Sequence, residues 1–160
     1  MHAPPKLDAI DRRLLAALQA DGRLTYDLLA ERAGLSASAV LRRVRRLEEA
    51  GVITGYVALV APSALGWALT AYLSVRLAKH VEHAKRTPME AFAAAVQSWP
   101  EVVECTALTG EMDYLLRVVV ADMAHYSRFV MEQLLRHPSV QDCKSSFVLR
   151  ALKSTTALPV

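Results

Sequence analysis
The chain has 160 residues, just over half of them apolar, which is enough for one domain or for two small ones with real cores. Its formal net charge is only +3, with nine Lys/Arg against seven Asp/Glu up to Ala61 and ten against nine beyond it. A polybasic tail is excluded, so any nucleic-acid binding must come from where the charges sit.

The opening MHAPPK lacks the charged n-region and apolar core of a signal peptide. Asp8 can cap a helix, and Asp11, three residues on, suits the positive helix start. Ile10, Leu14, Leu15 and Leu18 make its stripe, and Asp21-Gly22 ends it. Thr25 caps a second helix carrying Leu28, Leu29 and Ala33. Gly34 supplies a residue tolerant of positive φ for a tight turn. Ser36 then caps SASAVLRRVRRL, which holds four arginines and no acid. At about 100° per residue, Val40, Val44 and Leu47 fall on one face. Ser38, Arg42, Arg45 and Arg46 fall on the other. An isolated arginine cluster reads as a solvated basic face. Behind two helices and a glycine turn it reads as a helix-turn-helix recognition helix, though three short helices can also serve as a packing module. Ser36, Ser38, Arg42, Arg43, Arg45 and Arg46 are the candidate DNA-binding residues, divided between bases and phosphates in a way the sequence leaves open. Glu48 and Glu49 are expected at the solvated, DNA-distal end. Val52 to Leu59 is β-prone, and two short strand pieces there suggest a winged variant.

Ala50 to Val75 carries no charge and is long enough to span a bilayer. Gly51, Gly55, Pro62 and Gly66 interrupt it, and its end alternates apolar with polar, so no membrane span is expected. The predicted division is 1–61 for DNA binding, a linker at 62–66, and 67–160 for a second domain. Leu69, Ala71, Leu73, Val75 and Leu77 alternate with polar residues as a half-buried strand does. Thr87-Pro88-Met89-Glu90 opens a helix with a cap, a proline and a capping glutamate. Met89, Phe92, Ala93 and Val96 form its stripe. Strands follow near Val102–Thr109 and Tyr114–Val120, joined through Gly110-Glu111-Met112-Asp113, the last of them apolar enough to be central. Asp122 caps another helix with Met123, Tyr126, Val130 and Leu134, and a fourth strand spans about Val140–Leu149. The order β-α-β-β-α-β is the split ferredoxin-like arrangement. A repeat supports it: Trp99-Pro-Glu-Val-Val-Glu-Cys105 matches His137-Pro-Ser-Val-Gln-Asp-Cys143 as x-Pro-x-Val-x-acid-Cys. The fold class is therefore α+β, a winged helix-turn-helix followed by a βαββαβ domain.

Cys105 and Cys143 make no disulfide framework, and in this fold they lie on opposite sheet edges. A cytoplasmic protein is the simplest reading. His80-x-x-His83, with Glu82 between, invites a metal, but no matching cluster lies nearby and no metal site is predicted. No GxSxG, HExxH, P-loop or GxGxxG occurs, so no catalytic residue is assigned and no enzyme is expected. Asp113 is either an ordinary turn carboxylate or an acceptor for a ligand ammonium beside exposed N–H groups.

Four stretches taken together, LDAIDRRLLAALQADGRLT, AGLSASAVLRRVRRLEEAGVITGY, PEVVECTALTGEMDYLLRVVVADM and SSFVLRALKSTTALP, closely resemble the Lrp/AsnC feast/famine transcription regulators. The resemblance covers Leu7 to Pro159. It departs at Ser139, where many relatives have glycine. It implies a dimer formed through the C-terminal domain, often assembled into an octamer around which double-stranded DNA wraps. It also implies an amino acid bound between dimers, with leucine or methionine favoured by the TGEMDYLL and SSFVL wording. By position, the effector-binding candidates are Thr109, Gly110, Glu111, Met112, Asp113 and Tyr114, with Met123 and Ser146 as neighbours, some from an adjacent dimer. No cofactor beyond that effector is expected. The alternative is a nucleoid-type architectural protein that wraps DNA with little effector control.

Overall fold
The computed structural model describes residues 6–80 and 85–160. The chain divides into two compact units, one ending at Leu59 and taking back the C-terminal Lys153–Val160, the other spanning Val60–Leu152.

In the first unit the caps set the helix starts. The Asp8 side chain accepts from the Ile10 and Asp11 N–H groups, and Asp11 returns to the Asp8 N–H, a full capping box for α1 (Ala9–Ala20). Thr25 caps α2 (Tyr26–Ala33), which stops at Gly34 with φ 68°. Ser36 caps α3 (Ala37–Glu49). Val40, Val44 and Leu47 are buried, and Val40 and Val44 pack with Leu14, Leu29, Ala30 and Ala33 in the unit's core. Each valine or leucine among them contributes about 1.5–3 kcal/mol on burial. In α2 the buried position falls to Leu29, and Leu28 is exposed. The two short strand pieces expected after α3 do not form. The backbone from Gly55 to Ala61 carries no ladder, because among the described residues nothing pairs with it. Lys153–Val160 packs with this unit, and Leu158 exchanges two hydrogen bonds with the Gln19 amide, its N–H donating at 2.6 Å and its carbonyl accepting at 3.0 Å.

The second unit is an antiparallel sheet with order β2-β3-β1-β4, built from β1 (Leu69–Leu77), β2 (Val102–Ala107), β3 (Tyr114–Val120) and β4 (Val140–Phe147). Two helices cover one face: α4 (Pro88–Val96), and α5 (Met123–Arg128), which continues as a π-helical segment, Phe129–Leu134. The two central strands bury alternate residues, Ala71, Leu73, Val75 and Leu77 from β1 and Tyr114, Leu116, Val118 and Val120 from β3, against Phe92, Phe129 and Leu134. The two repeat copies meet: Trp99 and His137, their opening residues, lie edge to face at 6.1 Å, and each packs on Phe92. Burial pushes the His137 imidazole below its ordinary range. Ser139 is buried, and its carbonyl accepts from the Ala78 N–H, so the turn into β4 closes without a glycine. Cys105 and Cys143 lie on the two edge strands as free thiols. Met89 is exposed, a correction to its place in the buried stripe of α4. Helical periodicity decides which residues share a face, but not how far along the helix its partner reaches.

Candidate functional site
In the first unit, Ser36, Ser38, Arg42, Arg45 and Arg46 are exposed on α3. The four arginines, Ser38, Leu41 and Glu49 line a groove of about 510 Å³. Ser36 Oγ accepts from the Ala39 N–H and lies 3.1 Å from Ser38 Oγ, so both hydroxyls sit at the first turn. The arginines separate into two pairs. Arg42 and Arg45 form no ion pair among the described residues. The Arg43 Nη1 donates to Asp8 Oδ2 at 2.7 Å and to Asp11 Oδ1 at 2.9 Å. The Arg46 Nη2 donates to Asp11 Oδ2 at 2.6 Å. The Asp11 N–H, then Arg43, hold the Asp8 carboxyl down at about 2, and Asp8, then Asp11, raise the Arg43 guanidinium further. Helical spacing places Arg43 on α3, but its acidic partners are 32 and 35 residues away, beyond the reach of a periodicity argument. Glu48 and Glu49 are both exposed at the C-terminal end of α3; Glu49 also lines the arginine groove, and Glu48 accepts from the Tyr56 hydroxyl at 2.9 Å.

In the second unit, the β2–β3 turn brings Thr109 through Tyr114 together, with Gly110 at φ 119°. The Leu108 N–H and the Asp113 N–H bond to Asp113 and Val75 carbonyls. Between them, among the described residues, no acceptor meets the N–H groups of Thr109, Gly110, Glu111 or Met112. Asp113 Oδ2 accepts from the Leu77 N–H at 2.7 Å, leaving Oδ1 open. Arg76, which sequence reasoning missed, reaches over from β1: its Nε donates to the Glu111 carbonyl at 3.1 Å and its Nη2 lies 3.9 Å from the Met112 sulfur. The signal for it was its place at a polar position of the alternating strand. Tyr114 points the other way. Its ring is buried 5.1 Å from Phe92, and burial raises its hydroxyl's pKa, so only its backbone belongs to the turn.

Met123 and Ser146 are not brought to this turn. Met123 opens α5 beyond the far end of β3, a seven-residue strand and so about 23 Å long. Ser146 pairs with Tyr72, four residues along β1 from Arg76 and so about 13 Å away. Elsewhere in this unit His125 Nε2 lies 3.2 Å from the buried Glu101 Oε1, and Glu101 Oε2 has no partner among the described residues. No group of three metal-ligating side chains forms among the described residues; Glu82 and His83 of the His80-x-x-His83 spacing lie outside them. No helix of the described residues is long and apolar enough to cross a membrane.

A helix-turn-helix unit with an arginine-faced third helix, joined to a βαββαβ unit with an open turn, defines a DNA-binding transcription regulator with a ligand-binding domain. Family comparison gives the same two parts: winged helix-turn-helix DNA-binding over residues 7–54, and the Lrp/AsnC ligand binding domain over residues 70–158. The leucine-responsive regulatory protein of Rhizobium meliloti is 43% identical over 155 residues, covering 97% of both chains. The Bkd operon transcriptional regulator of Pseudomonas aeruginosa is 40% identical, covering 97% of this chain and 99% of its own. Among solved structures, a transcriptional regulator from Neisseria meningitidis in complex with L-Met superposes with a TM-score of 0.90 at 46% identity, over 96% of this chain and 97% of that one. A feast or famine regulatory protein from M. tuberculosis complexed with L-methionine gives 0.83 at 36%, over 96% and 99%. The chain belongs to the Lrp/AsnC family of transcription regulators.

Proposed function
We propose that this regulator is sequence-specific and that an amino acid, leucine or methionine, binds at the Gly110 turn between dimers to set its oligomeric state and DNA binding. The observation that carries the reading is the turn itself: four N–H groups without acceptors among the described residues lie beside one open carboxylate oxygen of Asp113. N–H groups in a turn suit a carboxylate, and Asp113 Oδ1 suits an ammonium, so the two ends of an α-amino acid find complementary partners. The L-Met complexes of the neisserial and mycobacterial relatives favour methionine. One protomer holds Thr109–Tyr114 but keeps Met123 and Ser146 apart from them, which agrees with a pocket completed by another copy. The sheet face away from the helices, carrying Tyr72, Ser74, Arg76 and Arg117, is available for that assembly, as a dimer and then an octamer. The effector then acts by a population shift, stabilising the assembly that binds it best. The functional division runs as 1–61 for DNA, 62–66 as linker and 67–160 for sensing and oligomerisation, with the last stretch, Lys153–Val160, packing back on the DNA-binding unit. The protein acts in the cytoplasm, on the nucleoid, as a regulator and not as an enzyme.

The test is a thermal-shift panel of the twenty amino acids with the full chain, since a ligand selective for the native state raises the midpoint. A dose-dependent rise with leucine or methionine, lost in Asp113→Asn, supports the reading. No rise with any amino acid, from folded oligomer, overturns it.

A further inference from the structure
We infer that Asp11 is a specificity-determining positioning residue, which withholds Arg43 and Arg46 from the DNA backbone and leaves Arg42 and Arg45 to reach it. This rests on the reading that α3 faces DNA.

Asp11 lies in the first turn of α1 at 1% exposure, yet its two oxygens are shared between two arginines of α3. Oδ1 takes Arg43 and Oδ2 takes Arg46, and Oδ2 also accepts the Asp8 N–H at 3.1 Å. Asp8 adds a second carboxylate to Arg43. The cluster contains two carboxylates and two guanidiniums, so it presents no net charge to a phosphate. Moving Arg43 to a phosphate would leave the buried Asp11 carboxylate with one of its two arginines and Oδ1 without its partner, a cost unpaired arginines do not meet. Arg42 and Arg45, exposed and unpaired among the described residues, move freely.

The consequence concerns selectivity. Contacts to phosphate carry no sequence information, and every cation that neutralises one tightens binding to all DNA alike. Four free arginines on one helix would bind random sequence too well. Two free and two held keep the helix face cationic enough to dock while base contacts still decide.

The test measures how binding depends on salt, with full-length chain, a duplex selected from a random library by the wild type, and unselected random duplex. Each phosphate neutralised contributes about 0.9 to the slope of log K against log salt. Asp11→Asn is expected to steepen the slope on random duplex by about 0.9 per arginine freed, and to shrink the ratio of selected to random binding. Glu31→Gln, an equal charge change at an exposed acid, leaves the slope alone. Arg46→Gln, whose partner among the described residues is Asp11 alone, leaves the wild-type slope unchanged but lowers it by about 0.9 in the Asp11→Asn background, a result that a purely structural role for Asp11 cannot produce. The inference is overturned if Arg46→Gln lowers the wild-type slope, or if folded Asp11→Asn keeps it. Should Asp11→Asn not fold, Arg46→Gln in the wild type decides alone. Arg42→Ala and Arg45→Ala separate the two readings. If both leave the slope unchanged, α3 is not the DNA face and both readings fall. If both lower it while Asp11→Asn does not raise it, only the role of Asp11 falls.

Discussion

The carboxylate of Asp113 accepts the Leu77 backbone N–H at 2.7 Å. The β1–β3 ladder ends at Val75 and Tyr114, and β1 shifts register against β4 between Arg76 and Leu77, so Asp113 serves an N–H at the point where regular pairing lapses. The same side chain is the proposed ammonium acceptor, and its two roles can be divided by choice of substitution. Asp113→Asn keeps an oxygen for Leu77 and loses the charge. It should unfold near the wild-type midpoint and show no midpoint rise with methionine. Asp113→Ala loses both and should also be less stable by about 1–2 kcal/mol, measured by urea unfolding without ligand. A methionine response surviving in Asp113→Asn would place the ammonium elsewhere.

Arg76 holds the Gly110 turn, the proposed effector site, from the neighbouring strand, through the Glu111 carbonyl. A turn already in its bound shape loses less entropy when ligand arrives. Arg76→Ala should therefore weaken amino-acid binding by about tenfold, or 1.4 kcal/mol, and leave the fold intact. Titration calorimetry with methionine measures this directly, and circular dichroism checks the fold. Equal affinities would mean the turn needs no such support.

The difference between Asp113 and Arg76 marks what the sequence could disclose. Local chemistry was legible: Asp8, Thr25, Ser36, Thr87 and Asp122 all cap the helices predicted for them, because a cap acts within three residues of its own position. The strand alternation at Leu69–Leu77 and the Gly110 turn between two strands were legible for the same reason. Partners remote in the chain were not. Asp11 with Arg43, Arg76 with Glu111, and Gln19 with Leu158 are separated by 32, 35 and 139 residues, and no period or motif links them. The strand pieces expected at Val52–Leu59 are missing for a related reason: β-propensity shows what a strand would be made of, but a strand exists only against a partner, and among the described residues none pairs there.

Asp8 gives the first unit a specific acid sensitivity. Its carboxyl is held at about 2 by the Asp11 N–H and then by Arg43, below the ordinary value near 3.9. A depressed folded value means the unfolded chain binds the proton more readily, so the stabilisation is complete above about pH 4 and is lost as pH falls toward 2. Asp8→Asn keeps the cap oxygen and removes the charge. Its urea midpoint should lie below that of wild type at pH 5 and approach it as pH drops from 4 to 2.5. A gap constant across that range would show that the charge on Asp8 does not matter to the fold.

Tyr56 supplies the alkaline counterpart. Burial, then the hydrogen bond to Glu48, pushes its hydroxyl up to about 12. For an acid whose folded value is raised, the native state keeps its proton longer than the unfolded chain, so stability is whole below about pH 10 and declines as pH climbs toward 12. The phenol also ties the segment after α3 back to that helix, where the backbone itself has no ladder to hold it. Tyr56→Phe should cost about 1 kcal/mol at pH 7, the worth of one hydrogen bond. In an absorbance titration of the five tyrosines, Tyr56→Phe should lose one of the late-ionising components, while those of the buried Tyr114 and Tyr126 remain. Glu48→Gln should advance the Tyr56 component toward pH 10 without removing it, since the carboxylate's charge contributes to the shift and burial remains. If the late-ionising amplitude is undiminished in Tyr56→Phe, it belongs wholly to other tyrosines, and the tie between Glu48 and the segment beyond α3 is weaker than its geometry implies.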